Sequence, residues 1–151
     1  MGKPKVLFVC LGNICRSPMA EYVLRQRAAE AGITVETDSA GTSGWHDGED
    51  MHRETAKILK KYGIDASGFA SRKIRQSDAS AFDYIIAMDG NNLSELEKTF
   101  GRQPEKIFKL TDLIPESGYD HVPDPWYTGD FEETYRLVDA GCRAFLEKIS
   151  R

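Results

Sequence analysis

Short apolar runs alternate along the chain with longer stretches whose apolar positions recur every three or four residues, the pattern of strands joined by crossover helices. The first run, Val6-Leu7-Phe8-Val9, is β-branched and aromatic and is followed by Gly12 and Asn13, which predicts a buried parallel strand feeding a tight loop. Ser17 before Pro18 predicts a helix start, with Ser17 at the N-cap and Pro18 at the first helical position. Met19, Val23, Leu24 and Ala28 continue it inward at helical spacing, Arg25, Arg27 and Glu30 point outward, and Gly32 lies just past the end. Ile33 to Ser39 alternates as a second strand, and the glycines of Ala40 to Gly48 make that stretch a loop. Glu54 to Tyr62 predicts a helix closed by Gly63, and Phe69 to Arg75 a basic connector, exposed or loosely held at an edge. Phe82 to Asp89 is a second buried run, and Gly90-Asn91-Asn92 opens a helix through Leu93 and Leu96 to Phe100. A short last strand, Lys106 to Leu110, is followed by a long loop with Pro115, Gly118, Pro123, Pro125 and Gly129, then by a helix from about Phe131 to Ile149. The order implies a three-layer α/β/α fold: a four-stranded parallel sheet with helices on both faces and right-handed crossovers.

Composition narrows the class. The 151 residues are one domain's worth, so residues 1–151 are expected to form a single domain burying roughly 70% of the surface its unfolded chain exposes. The apolar share is 40% and the charged share 29%, without repeats or low-complexity tracts, as in an ordinary soluble protein. Net charge is −4, so a nucleic-acid partner is disfavoured and any anion site must be local. Three cysteines without a disulfide framework point to a reducing compartment, with cytoplasm the expectation. Gly12, Asn13 and Arg16 interrupt the apolar run after Met1-Gly2-Lys3-Pro4-Lys5 too soon for a signal peptide, and Val6 breaks a myristoylation motif. No stretch is long enough to span a membrane, and no membrane partner is expected.

The chemistry concentrates after the first strand. Five residues separate Cys10 from Arg16, enough for one turn of backbone to wrap a tetrahedral anion with the N–H groups of Leu11, Gly12, Asn13, Ile14, Cys15 and Arg16 as a nest. The planar Arg16 fork can hold two phosphate oxygens. A cysteine beside a helix N-terminus and a cation is set up to react as a thiolate, and Ser17 is near enough to hydrogen-bond it. Cys10 alone reads equally as a small hydrophobe ending a core strand; Arg16, Ser17 and Gly12 in register favour a nucleophile. Asp124, in Asp124-Pro125-Trp126-Tyr127 of the long loop, is a candidate proton donor, although an Asp-Pro pair also marks ordinary turns. Trp45 in its glycine-rich loop reads either as cover for the core edge or as an aromatic wall beside the anion site. Asp89 ends a strand at the carboxyl edge where α/β sheets bind ligands, but a cap for the next helix is the favoured reading. His46, His52 and His121 have no ligand spacing with Cys15 or Cys142, so neither a metal nor another cofactor is expected. Cys142 reads as core.

Cys10-Leu11-Gly12-Asn13-Ile14-Cys15-Arg16-Ser17-Pro18 carries every letter of CxGNxCRSP, the signature loop of the low-molecular-weight protein tyrosine phosphatases, and the resemblance runs from Lys5 nearly to the C-terminus. SAGTxxWHxG is matched from Ser39 to Gly48, MDxxN by Met88, Asp89 and Asn92, and DPxY by Asp124, Pro125 and Tyr127. The resemblance implies a flavodoxin-like strand order 2-1-3-4 with Cys10 at the switch point. It implies a cytoplasmic, monomeric protein tyrosine phosphatase acting on phosphotyrosine proteins and small aryl phosphates. Cys10 is then the nucleophile, Arg16 the phosphate clamp and Asp124 the general acid and base. Asn13, Ser17, Ser39 and Asp89 are supports, Trp45, Trp126 and Tyr127 the substrate walls, and inorganic phosphate both product and inhibitor. How Asn13 is held near Ser71 is not legible, and Ser39 is the residue expected to hold it. Cys15 resembles the family's redox guard for Cys10, and a small residue filling the loop's underside fits equally well. Arsenate reductase on the same fold is disfavoured by the lack of cysteine from Ser77 to Asn92. A phosphocarrier or a plain phosphate-binding module would need neither Arg16 nor Asp124. A phosphoarginine branch of the family carries threonine where Ile14 stands, so Ile14 favours phosphotyrosine.

Overall fold

A computed structural model describes residues 3–150; Met1 and Gly2, part of the segment read for targeting signals, and Arg151 lie outside the described residues. Four parallel strands, β1 (Lys5–Cys10), β2 (Glu36–Gly41), β3 (Tyr84–Ala87) and β4 (Ile107–Lys109), form one sheet in the order β2-β1-β3-β4. Among the described residues the α-helices are α1 (Arg16–Ala31), α2 (Arg53–Lys61), α3 (Asp78–Ala81), α4 (Gly90–Phe100), α5 (Pro125–Thr128) and α6 (Phe131–Ile149), the last two following β4. The predicted α/β/α layers and the order 2-1-3-4 are both present.

Strand β1 is apolar from Val6 to Cys10 because that stretch is buried on both faces. Val6, Phe8 and Cys10 point into one core with Met19 and Val23 of α1, Ile58 and Leu59 of α2 and Val138, Cys142 and Phe145 of α6. Leu7 and Val9 point the other way, onto Ile85, Ile107 and Leu96 of α4. Gly141 lets α6 close on the turn after β4: a Cβ there would meet the Leu110 side chain at 2.5 Å. Among the described residues no helix is long and apolar enough to cross a membrane.

Four expectations are corrected. Strand β2 covers Glu36–Gly41 rather than Ile33 to Ser39, because parallel pairing with β1 sets its register from Lys5↔Glu36 to Cys10↔Gly41. Ile33 and Val35 satisfy the alternating pattern by packing against the core without pairing. Ser17 is not the N-cap. The chain curls into α1 directly after Asn13, so Cys15 takes the cap position without a side-chain bond, and Pro18 becomes the third helical residue. Its missing N–H still falls in the first turn, and the carbonyl four residues back, on Ile14, lies outside the helix. The segment Phe69 to Arg75 is not loose: Lys73 forms a parallel bridge to Gly41, Ser71 is buried and Arg72 grips Asp78 with both terminal nitrogens. In the same way Arg27, expected outward, reaches across to Asp139 and Tyr135 of α6.

Candidate active site

Strand β1 delivers Cys10 to the carboxyl edge of the sheet beside Gly41 of β2, and the loop to α1 curls back over its sulfur. Asn13 makes that curl possible. Its φ of 57° is the only positive value among the described non-glycine residues, and asparagine tolerates the left-handed region better than most side chains. The turn aims the Asn13 N–H at Cys10 Sγ, 3.3 Å away, while Ser17 Oγ approaches the same sulfur at 3.0 Å. The opening turn of α1, capped by no side chain, adds the positive end of its dipole.

Buried hydrogen bonds hold the loop. Asn13 Nδ2 donates to Ser17 Oγ at 2.8 Å and to Ser39 Oγ at 3.0 Å. The other half of the Asn13 amide accepts from the Arg72 N–H at 2.9 Å, and Ser71 Oγ donates to the Asn13 carbonyl at 2.7 Å. Gly41 lies directly beneath; a Cβ there would stand 2.7 Å from the Leu11 carbonyl oxygen and 3.0 Å from that of Ser43.

Arg16 is 3% exposed and clamped from outside the loop. Its Nη1 donates to Asp89 Oδ2 at 2.9 Å and to the Val122 carbonyl at 2.8 Å, whereas Nη2 reaches Asp124 Oδ2 at only 3.5 Å. The first two contacts fix the guanidinium, and the long third one is readily exchanged for another anion. The second oxygen of Asp89 caps α4 by accepting from the Asn92 N–H at 2.7 Å.

The long loop brings Asp124 to the cleft that Cys10 lines. Asp124 caps the short α5 by accepting from the Trp126 N–H at 3.0 Å, with Pro125 at the first helical position, which points its other oxygen at Arg16. One cleft is lined by Cys10, Ile14, Arg16 and Asp124, with Trp45, Trp126 and Tyr127 on its rim. These three aromatic rings are 72%, 57% and 79% exposed, so Trp45 does not cover the core edge. Behind Trp126, the His52 ring stands edge-on at 5.8 Å and rests against Phe131 at 5.1 Å, while the His52 N–H donates to the Ile14 carbonyl.

Cys15 is buried and its thiol is pushed up to about 12, first by loss of solvent and then by the nearby Cys10 sulfur and Asp124 carboxylate. Cys142 sits wholly inside the core, which raises its thiol too, against the Ala20 carbonyl. Among the described residues no three histidine, cysteine or acidic side chains are grouped to hold a metal ion.

Several contributors escaped sequence reasoning. The Val122 carbonyl carries no side-chain signal. Arg72 was hidden in a segment read only as basic. Glu21 stands behind Ser39, whose hydroxyl donates to it at 2.7 Å. A lone carboxylate among the apolar residues of the first turns of α1 was the one available hint.

Comparison with known proteins agrees with this geometry. The family model for low molecular weight phosphotyrosine protein phosphatase matches residues 5–151. The low molecular weight protein-tyrosine-phosphatase YfkJ of Bacillus subtilis is 45% identical over 149 residues, 97% of this chain and 96% of the relative. Its crystal structure superposes with a TM-score of 0.96 at 44% identity, covering 99% and 96% of the two chains. PtpA of Staphylococcus epidermidis, also named a low molecular weight protein-tyrosine-phosphatase, is 43% identical over 95% of this chain and 92% of its own. The crystal structure of DARP, a drosophila arginine phosphatase, superposes with a TM-score of 0.90 at 34% identity over 97% and 98%. The chain thus belongs to the low molecular weight phosphotyrosine protein phosphatase family and is a phosphoric monoester hydrolase of the protein-tyrosine-phosphatase class.

Proposed function

We propose that this phosphatase removes phosphate from tyrosine side chains of proteins, and from small aryl phosphates, by two displacements through a phosphate carried on Cys10. The observation that carries the reading is one cleft in which a sulfur, a guanidinium and a carboxyl group converge under an exposed aromatic rim. The phosphoryl group enters the nest of N–H groups from Leu11 to Arg16 and displaces Asp124 from Arg16 Nη2. The Cys10 thiolate attacks phosphorus in line; the S–P bond forms as the P–O bond to the ring breaks, and the Asp124 carboxyl proton passes to the departing phenol oxygen. The ionised Asp124 then takes a proton from water as its oxygen attacks phosphorus. The P–S bond breaks, sulfur leaves as thiolate and inorganic phosphate is released. Arg16, held by Asp89 and Val122, and the backbone amides stabilise the equatorial oxygens throughout. Ser17 eases departure of the sulfur, and Asn13, Ser39 and Asp89 keep loop and clamp in place.

Trp45, Trp126 and Tyr127 offer rings on which a phosphotyrosine ring stacks, and Ile14 in the cleft lining supports an aryl substrate over phosphoarginine. Inorganic phosphate, fitting the same nest, acts as a product inhibitor. Residues 1–151 work as one domain, as a cytoplasmic monomer. Cys15 acts as resolving thiol: peroxide converts Cys10 to a sulfenic acid, and the Cys15 thiol displaces water from it to give a disulfide, so inactivation by peroxide is reversed by added thiol.

The test is phosphate release from phosphotyrosine, 4-nitrophenyl phosphate and phosphoarginine peptides. Cys10→Ser should bind phosphotyrosine peptide and not turn over. Asp124→Ala should lose roughly 10²- to 10⁴-fold on phosphotyrosine and much less on 4-nitrophenyl phosphate, whose leaving group needs no proton. Equal losses on both esters, or faster release from phosphoarginine, would overturn the assignment.

A further inference from the structure

Glu21 is a buried carboxylate for which the two displacements have no use. It is 5% exposed, on α1, and its Oε1 accepts from Ser39 Oγ at 2.7 Å. The charges around it leave it poorly compensated. On its own helix Arg25 comes no nearer than 3.7 Å from Oε2 and is itself more than half exposed. From β2, Asp38 adds a like charge, and Arg72 of the connector commits its terminal nitrogens to Asp38 and Asp78. Burial, the largest influence, pushes the Glu21 carboxyl up to about 7 despite the hydrogen bond from Ser39.

Donors and acceptors along the chain of side chains determine what that carboxylate does. The Arg72 N–H occupies Asn13 Oδ1, so Asn13 turns both Nδ2 hydrogens toward the two serines. Each serine oxygen therefore receives a hydrogen from Asn13 and must send its own elsewhere. An ionised Glu21 can only accept, so it takes the hydrogen of Ser39. Ser17 is left to direct its hydrogen at Cys10 Sγ, 3.0 Å away. A protonated Glu21 can instead donate to Ser39 Oγ. Ser39 Oγ then accepts from both Glu21 and Asn13, its own hydrogen loses the carboxylate as acceptor, and the hold of Ser39 on the Asn13 amide slackens.

We propose that Glu21 is a positioning residue whose ionised carboxylate holds the chain Glu21–Ser39–Asn13–Ser17 in the direction that the Arg72 N–H imposes on Asn13, so that Cys10 receives the Ser17 O–H. The reactivity of Cys10 therefore follows the ionisation of a group that touches neither substrate nor sulfur. The inference rests on Cys10 as the nucleophile.

The experiment compares wild type with Glu21→Gln by two measurements from about pH 5.5 to about pH 8, spanning the Glu21 ionisation. The first is kcat/KM on 4-nitrophenyl phosphate, taken as the ratio of the two proteins so that ionisations shared by both cancel. The second is the rate of Cys10 alkylation by iodoacetamide, read by mass spectrometry, which needs no turnover. The ratio of wild type to variant should be near one at the acid end, where Glu21 is neutral like glutamine. It should rise roughly fivefold at the alkaline end, the usual gap between a hydrogen bond to a charged and to a neutral acceptor. Ser39→Ala, which cuts the chain and keeps Glu21, should flatten the same limb and covers the case of a Glu21 variant that fails to fold. Ratios level with pH in both measurements would overturn the proposal. If wild type does not hydrolyse the ester, the phosphatase assignment fails, and the alkylation ratio still decides on the chain.

Discussion

Replacing Asn13 by alanine tests the central claim about the loop, that one side chain both permits its backbone turn and ties it to the fold. At φ 57° the Cβ of asparagine already meets the following carbonyl, a strain of ~1–2 kcal/mol that alanine keeps and only glycine escapes. The substitution removes two bonds donated by Nδ2 and one accepted by Oδ1, all in or beside the buried interior, each worth ~1 kcal/mol net. The three bonds sum to roughly 3 kcal/mol, a large part of the ~5–15 kcal/mol that holds a domain together. Asn13→Gly loses the same bonds and escapes the steric conflict, but adds ~0.4–1 kcal/mol of unfolded-chain entropy. Glycine should therefore remain more stable than alanine by roughly 0.5–1 kcal/mol. Urea unfolding followed by tryptophan fluorescence reads both: the alanine midpoint should fall by roughly 2 M at unchanged slope, with glycine slightly above it. An alanine loss under about 1 kcal/mol, or alanine at least as stable as glycine, would refute the reasoning.

Other perturbations probe neighbouring parts. Burial raises Glu21 from 4.5 to about 7, so the folded chain holds a proton there that the unfolded chain has released; stability is greatest below the lower value and falls as pH rises to the upper one. Glu21→Gln should remove that slope, shifting wild type relative to variant by about 3 kcal/mol between pH 4.5 and about pH 8 in chemical denaturation, and a level difference would count against burial as the cause. Gly41→Ala places a methyl 2.7 Å from the Leu11 carbonyl oxygen, so loop or strand edge must shift. Aryl phosphate turnover should drop by about 10²-fold with little change in melting temperature, and unchanged turnover would disprove the close packing. Trp126→Ala should raise KM for phosphotyrosine roughly three- to tenfold while leaving inhibition by inorganic phosphate unaltered; equal changes would remove the ring from substrate binding.

Much of this molecule is local and so was readable along the chain. A strand buried on both faces needs an unbroken apolar run, and Val6 to Val9 provides it. Gly32 and Gly63 adopt positive φ at helix ends, and Phe131–Ile149 matches the predicted last helix, because termini are set by neighbouring residues. The misplaced β2 shows where local pattern stops. Ile33 and Val35 alternate like a strand, yet the register is set by Lys5 to Cys10 on another segment. Ser17 shows it too: a residue that looks like a cap turns its hydroxyl inward because a sulfur and an amide wait there.

The order of residues alone determined the loop from Cys10 to Arg16, since five residues between them give one turn of backbone wherever the loop sits. Folding decided which groups meet it. Asp89, Val122 and Asp124 reach Arg16 from 73, 106 and 108 residues away, and Arg72 and Ser71 reach Asn13 from 59 and 58. Contacts at such separations leave no periodic trace in the chain; they arise because parallel strands deliver all their carboxyl ends, and the loops that follow, to one edge of the sheet.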